Sequence, residues 1–259
     1  MNNQKSIVPI IVVLTIVVLL VGGILAWQYF RTPKEKVEKF QEKMPEEAAK
    51  VLEEAKIPSD IALNNEELKN FLINYKIQNE TGFISSQIIR EDLNKDGLDE
   101  IIIGFTYGGP SVGWIGLIAK DGEEYKIINW EEVFPTVSEM GLRNISNDKY
   151  QALVVKLAGG GGTGIFYQKM LVYVYINNQI KLTFNEYIER TEVDSIGIMN
   201  NYEIDFKDID YNGDIEIIQK GTEKEVEWSY EKNDYVPIKE VSVKNVFKWD
   251  EKEKIFKEI

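Results

Sequence analysis

The run Asp92-Leu-Asn-Lys-Asp-Gly-Leu-Asp-Glu100 carries side-chain oxygens at its first, third, fifth and ninth positions: Asp92, Asn94, Asp96 and Glu100. Gly97 permits the positive φ of a tight turn, and Leu98, at the seventh position, offers a backbone carbonyl. Calcium takes six to eight oxygen ligands at about 2.3–2.6 Å, and this loop supplies about five or six, leaving room for water. Without a cation the carboxylates repel one another; a bound divalent ion turns that repulsion into local stability. A second run, Asp208-Ile-Asp-Tyr-Asn-Gly-Asp-Ile-Glu216, repeats the pattern in degenerate form with Asp208, Asp210, Asn212, Asp214 and Glu216. An EF-hand is excluded, because its twelfth position needs a bidentate Glu and here holds Ile103 within an apolar run. The rival reading is an Asx-rich turn with no metal, since Asp, Asn and Gly dominate turns for reasons of their own.

Other chemistry is narrowed by what the chain lacks. It has no cysteine and no histidine in 259 residues. That removes thiolate nucleophiles, disulfides and the commonest general base and zinc ligand. The net charge of −13 argues against nucleic acid, whose phosphates it would repel. Gly159–Gly164 satisfies G-x-G-x-x-G formally, but IFYQKMLVYVYI follows and reads as a strand, whereas a dinucleotide site needs a helix there. Paired carboxylates, Glu131/Glu132 and Glu186/Glu189, are the residue types a glycoside hydrolase uses; among 43 acidic residues such pairs also arise by chance, and no enzyme is expected. Trp114 reads as core or as an exposed contact beside its glycine-rich turn.

The elements around both loops are strands. β-branched and aromatic runs begin after residue 82 and are separated by GGP, DG, GGGG, NN and NG turn signals. EIIIGFTYGGPSVG at 100–113 lies over QALVVKLAGGGGTG at 151–164, and DIDYNGDIEII begins a third copy at Asp208. The repeat predicts three antiparallel units starting near 82, 139 and 202, each unable to bury both faces alone and so stacked on the next. Arg143, Ile145 and Asn147 fall on the ligand positions of the middle copy, where no metal is expected. Three units are too few for a closed propeller. The expected fold is mostly β: an antiparallel β-repeat domain, either incomplete-propeller-like or a curled sheet or sandwich.

The text GFISSQIIREDLNKDGLDEIIIGF resembles the FG-GAP repeat of the integrin α-chain β-propeller and the related VCBS repeats of bacterial surface proteins. Asp92, Asn94, Asp96, the Leu98 carbonyl and Glu100 match the calcium ligands of that family. Ile101-Ile102-Ile103-Gly104-Phe105 matches its strand, with Phe105 where alanine is usual, and the upstream Phe-Gly is reversed as Gly82-Phe83. The match covers about 25 residues. The resemblance implies a propeller-like, calcium-stabilised interaction domain, and neither a ligand nor a catalytic act.

Upstream, residues 7–27 (IVPIIVVLTIVVLLVGGILAW) hold no charge and, at about 1.5 Å per residue, are long enough to span the hydrocarbon core. Trp27, Tyr29 and Phe30 form an interfacial belt before Arg31. A cleaved signal peptide would carry a shorter apolar region. Residues 1–31 are therefore read as a short tail and transmembrane helix, 32–62 as a charged helical stalk, and 63–259 as the domain, opening with a helix over 65–76 capped at Asn65 with Asn64 nearby. Lys and Arg counts after the helix favour a cytoplasmic domain, whereas the short N-terminal tail and a long domain free of Cys and His favour the outside. The expectation is a single-pass protein of the cell membrane with its C-terminal domain extracytoplasmic, binding calcium structurally and mediating adhesion to a protein or carbohydrate. Its alternatives are an accessory subunit of a membrane complex or a cell-wall hydrolase.

Overall fold

A computed structural model of the chain describes residues 56–76, 83–107, 112–146, 150–160, 164–177 and 179–259. The predicted span at 7–27 and the stalk up to residue 55 lie outside these. Among the described residues no helix is long and apolar enough to cross a membrane.

The domain opens with β1 (Lys56–Pro58), α1 (Ser59–Leu63) and α2 (Asn65–Lys76). Residues 56–62 were expected to close the stalk; instead they are part of the domain. β1 pairs with a later strand, and Ile57 and Ala62 are fully buried. The cap of α2 is Asn64, whose Oδ1 accepts the backbone N–H groups of Glu66 and Glu67 at 3.0 and 3.3 Å. An Asn one residue before the helix fills two of its orphan donors. Asn65 Oδ1 instead accepts a 2.8 Å bond from Arg90 Nη2.

Among the described residues twelve strands follow, in three successive groups of four. The first group is β2 (Phe83–Glu91), β3 (Glu100–Tyr107), β4 (Gly113–Asp121) and β5 (Glu124–Val133). The second is β6 (Thr136–Ser146), β7 (Tyr150–Gly159), β8 (Ile165–Ile176) and β9 (Gln179–Val193). The third is β10 (Ile196–Lys207), β11 (Glu216–Ser229), β12 (Asp234–Asp250) and β13 (Ile255–Glu258). All pairings are antiparallel. β1 and the first group form a five-stranded sheet in the order β1-β5-β4-β3-β2, and the other two groups share an eight-stranded sheet running from β13 to β6. Both sheets are open.

Period-two alternation explains the layering. In β3, Ile101, Ile103 and Phe105 pack with Leu68 and Leu72 of α2, while Ile102 points the other way into a core with Leu153, Val155 and Leu157 of β7. β7 and β8 are covered on both sides. Leu171, Tyr173 and Tyr175 join that second core, and Met170, Val172 and Val174 join a third with Phe247, Trp249 and Phe256. Continuous apolar runs such as EIIIGF are the pattern of a strand buried on both faces. The third core exists because the long sheet forks. β10 pairs with β9 only between Gly197 and Asn201, then leaves it while staying on β11 as far as Lys207.

The junction between the sheets is sealed by side chains. Gln87 of β2 donates from Nε2 to the Ser138 carbonyl at 3.0 Å and accepts the Met140 N–H at 2.9 Å. The Thr106 hydroxyl donates to the Val137 carbonyl. Backbone groups on the edge of β6 are thereby satisfied, which closes a sheet edge to stray pairing. At one end of the stack Gln151 of β7 donates to Glu91 of β2 at 3.2 Å, and Ser146 of β6 bridges Asp214 in the segment between β10 and β11.

Candidate metal centre

The first loop, residues 92–99, joins β2 to β3, and its partner, residues 208–215, joins β10 to β11. The two have one backbone. Lys95 and Tyr211, at the fourth position, have φ of 62° and 59°; Gly97 and Gly213, at the sixth, have φ of 87° and 90°. Gly is suited to that turn, while Lys95 and Tyr211 adopt a left-handed conformation uncommon for their residue types.

Hydrogen bonds hold the acidic groups in matching places. The second-position N–H, of Leu93 or Ile209, donates to Oε2 of the ninth-position Glu at 2.8 Å in both loops. The fifth-position N–H donates to Oδ1 of the first-position Asp, at 3.0 Å from Asp96 to Asp92 and 3.2 Å from Asn212 to Asp208. The sixth-position glycine N–H reaches Oδ2 of the same Asp at 2.8 and 2.9 Å. Each carboxylate oxygen so held keeps a further lone pair for another donor or a cation. Glu100 and Glu216 are 3% and 2% exposed, far below what is usual for glutamate. Burial pushes the Glu100 carboxyl above its ordinary range, with the charges of Asp96 and Asp92 adding to the rise and the Leu93 N–H opposing it.

The loops differ in what faces them. In the second, Asp208, Asp210 and Glu216 each bring a carboxylate oxygen within 4.8 Å of the others, and no other such acidic group is found among the described residues. The first loop, the stronger of the two by sequence, has Asn94 where the second has Asp210. Asn94 Nδ2 donates to Asp96 Oδ2 at 2.9 Å and to Glu100 Oε1 at 3.0 Å. In the second, Lys248 of β12 places Nζ 2.5 Å from Asp210 Oδ2 and 3.7 Å from Glu216 Oε1, and this hydrogen bond holds the Asp210 carboxyl below its usual range. Matching Ile217↔Phe247 to Ile101↔Ile118 puts Ala119 at the place of Lys248 in the first group. Asp214, expected as a ligand, has its Oδ1 taken by the Ser146 hydroxyl at 2.5 Å. Leu98 is exposed and its N–H bonds Asp96 Oδ1 at 2.8 Å.

Lys248, Ser146 and Tyr175 come from other strands, so spacing within either loop gives no sign of them. Asn94 and Glu100 act on the Tyr175 hydroxyl, whose pKa is raised first by burial and then by the Glu100 charge. In the middle group Arg143 and Ile145 lie within β6, and Asn147 is outside the described residues.

The remaining sequence candidates lie on different strands and turns. Glu131 and Glu132 are neighbours on β5, so their side chains take opposite faces and line no common cleft. Glu186 and Glu189 lie across from Met170 and Gln168 of β8, two residues apart on that strand, so this pair shares one face. Gly159 ends β7 and Ile165 opens β8, two antiparallel strands, so the glycine run precedes no helix. Trp114 packs on the first core, its ring 5.9 Å from that of Trp130.

Hard oxygen donors with no His or Cys are the set that suits calcium or magnesium. No protein-family model, curated protein or solved structure matches the chain.

Proposed function

We propose that the chain is a membrane-anchored, extracytoplasmic protein whose stacked β domain is pinned by calcium at its two acidic loops and binds a protein or carbohydrate partner. The observation that carries this reading is the duplicated loop. Two segments of different sequence share one backbone and one hydrogen-bond scheme, each with a buried Glu at the ninth position. Asp92, Asn94, Asp96, the Leu98 carbonyl and Glu100 would hold one ion; Asp208, Asp210, Asn212 and Glu216 would hold the other. The ion would supply fixed positive charge and nothing catalytic. It would stiffen the end of the stack that holds the two acidic loops, and that end would carry the contacts.

Thermal unfolding of the full chain, stripped with EDTA and titrated with calcium, tests the reading. A ligand at 100 times its Kd adds about 2.7 kcal/mol, which is roughly 5–10 °C for a domain of this size. Asp92→Asn and Asp208→Asn are each expected to remove part of that gain. An unchanged melting temperature at millimolar calcium would sink the metal reading. The anchor is tested separately: alkaline carbonate leaves a spanning chain in the membrane pellet and releases one that is not inserted.

A further inference from the structure

Two cations and three aromatic rings gather near the start of β8. Tyr167 and Lys169 lie across from Arg190 and Tyr187 of β9, so the four side chains share one face. Lys169 Nζ lies 4.6 Å, and Arg190 Cζ 5.3 Å, from the centre of the Tyr187 ring. The Tyr167 ring stands 5.8 Å from that of Tyr187, and Phe134, between β5 and β6, meets Tyr167 edge-on at 6.3 Å. Phe134 is 47% exposed. Tyr175, which adjoins Asn94 of the first acidic loop, is near the other end of β8, roughly 20 Å away by strand rise.

Charge in this patch runs against that of the chain. The chain has 43 acidic residues to 30 basic, yet here two cations face one carboxylate. Both Glu192 oxygens are occupied: Oε2 accepts Arg190 Nη2 at 2.8 Å, and Oε1 accepts the Tyr167 hydroxyl. Among the described residues no carboxylate forms an ion pair with Lys169. Burial, and then the Arg190 charge, hold the Lys169 ammonium below its ordinary pKa, with Glu186 opposing. Arg190 also keeps a buried Nε–H with no hydrogen-bond partner, and such groups are rare in folded chains. The cluster is one anion short of balance.

The backbone beneath the patch is closed. β8 pairs with β7 on one side and β9 on the other, and β9 pairs with β10 from Glu189 to Val193. Where β10 has left, Gln219 Nε2 donates to the Tyr187 carbonyl at 3.1 Å. An extended peptide therefore finds no strand edge to join. Recognition is left to ring faces and fixed cations, which suits a cyclic ligand that carries a carboxylate.

We propose that this face binds an acidic polysaccharide through a uronic acid unit, with the sugar ring against Phe134 and Tyr167 and the carboxylate between Lys169 and Arg190. The sugar's C–H surface covers the exposed aromatic ring, and its charge relieves two half-buried cations that now repel each other. Glu192 is a positioning residue: its two hydrogen bonds hold Tyr167 and Arg190 in place. A neutral sugar engages only the rings, and a small acyclic anion only the cations. Neither acidic loop nor the anchor takes part, so this inference stands apart from the function proposed above.

Isothermal titration of the full chain in a non-ionic detergent with EDTA tests it. Trigalacturonate is the probe. Its methyl ester keeps the rings and removes the charge, and tricarballylate keeps the carboxylates and removes the rings. Trigalacturonate is expected to bind roughly tenfold tighter than either. Lys169→Met is expected to weaken it by about tenfold, and Phe134→Ser by about fivefold. Lys232→Met, at an exposed cation of the β11–β12 turn, should change nothing. Phe134 is exposed, so serine there should leave the fold intact and the result readable even where Lys169→Met lowers the melting temperature. No binding of trigalacturonate at millimolar concentration, equal affinity for tricarballylate, or unchanged affinity in Phe134→Ser would each overturn the proposal. Because EDTA is present throughout, failure of the calcium titration leaves this result standing, and failure here leaves the calcium reading standing.

Discussion

Nζ of Lys248 lies 2.5 Å from Oδ2 of Asp210, so the second acidic loop already has a cation beside it. The ammonium draws on the same carboxylates a divalent ion would need, Asp210 and Glu216. The first loop has Ala119 at the matching place and no such competitor there. Two loops with one backbone should therefore differ in affinity, and the difference should be transferable.

Lys248→Met is expected to tighten calcium binding at the second loop by roughly two- to fivefold, the scale of one partly exposed ion pair. Ala119→Lys is expected to weaken the first loop by a similar factor. Calorimetric titration of an Asp92→Asn background isolates the second loop, and Asp208→Asn isolates the first. Unchanged affinity in Lys248→Met would show that the ammonium does not compete.

Packing between the second and third strand groups rests on aromatic contacts. Phe184 of β9 and Phe247 of β12 meet edge-on with centroids 5.0 Å apart, beside Trp249 and Phe256. Phe247→Ala should cost about 3–5 kcal/mol, while Phe247→Leu should cost distinctly less because it leaves a smaller void. Urea denaturation followed by tryptophan fluorescence reads both; equal costs would mean that the ring is not seated in the core.

Gln87 bonds both the Ser138 carbonyl and the Met140 N–H, and so carries the link between β2 and β6. Gln87→Leu keeps most of the volume and removes both partners. Water can replace the exposed Ser138 bond while the Met140 N–H is part-buried, so the cost is expected to be about 1 kcal/mol. Hydrogen exchange should speed up at Met140 first, with the core of β7 unaffected. Uniform loss of protection instead would place the effect in the whole fold.

Much of this architecture was legible because it is periodic. Alternating and doubly buried runs marked the strands. Asp92–Glu100 and Asp208–Glu216 were legible as loops because Gly at the sixth position and oxygens at alternate positions form a local pattern. Long-range features were not. Lys248 lies 38 residues from Asp210, and Ser146 lies 68 from Asp214; nothing in either loop indicates which strand will face it. The domain start was misplaced for a related reason. KIP and SDIAL are too short to show periodicity, and only burial of Ile57 and Ala62 against later strands makes them structural.

Glu131 also takes its character from distant residues. It sits on β5 opposite Tyr173 of β8, a hydroxyl buried between the sheets with no partner in good hydrogen-bond geometry. Burial raises the Glu131 carboxyl above its ordinary range, and the proximity of Tyr173 only partly offsets that. A carboxyl whose folded pKa exceeds its unfolded value binds its proton more tightly in the fold, so its contribution to stability falls as pH rises from the unfolded pKa through the folded one. Above that window the full cost of burying a charge remains. Glu131→Gln, neutral at every pH, should therefore melt higher than the parent at pH 7. The gap should close as pH falls through the raised value toward the ordinary carboxylate range, because the parent takes up its proton there. Melting curves of both proteins from pH 7.5 to about 4.5 measure the difference directly, and other carboxylates cancel from it. A gap that stays constant with pH, or one that favours the parent at pH 7, would mean that Glu131 is ionised without penalty and that solvent reaches it between the sheets.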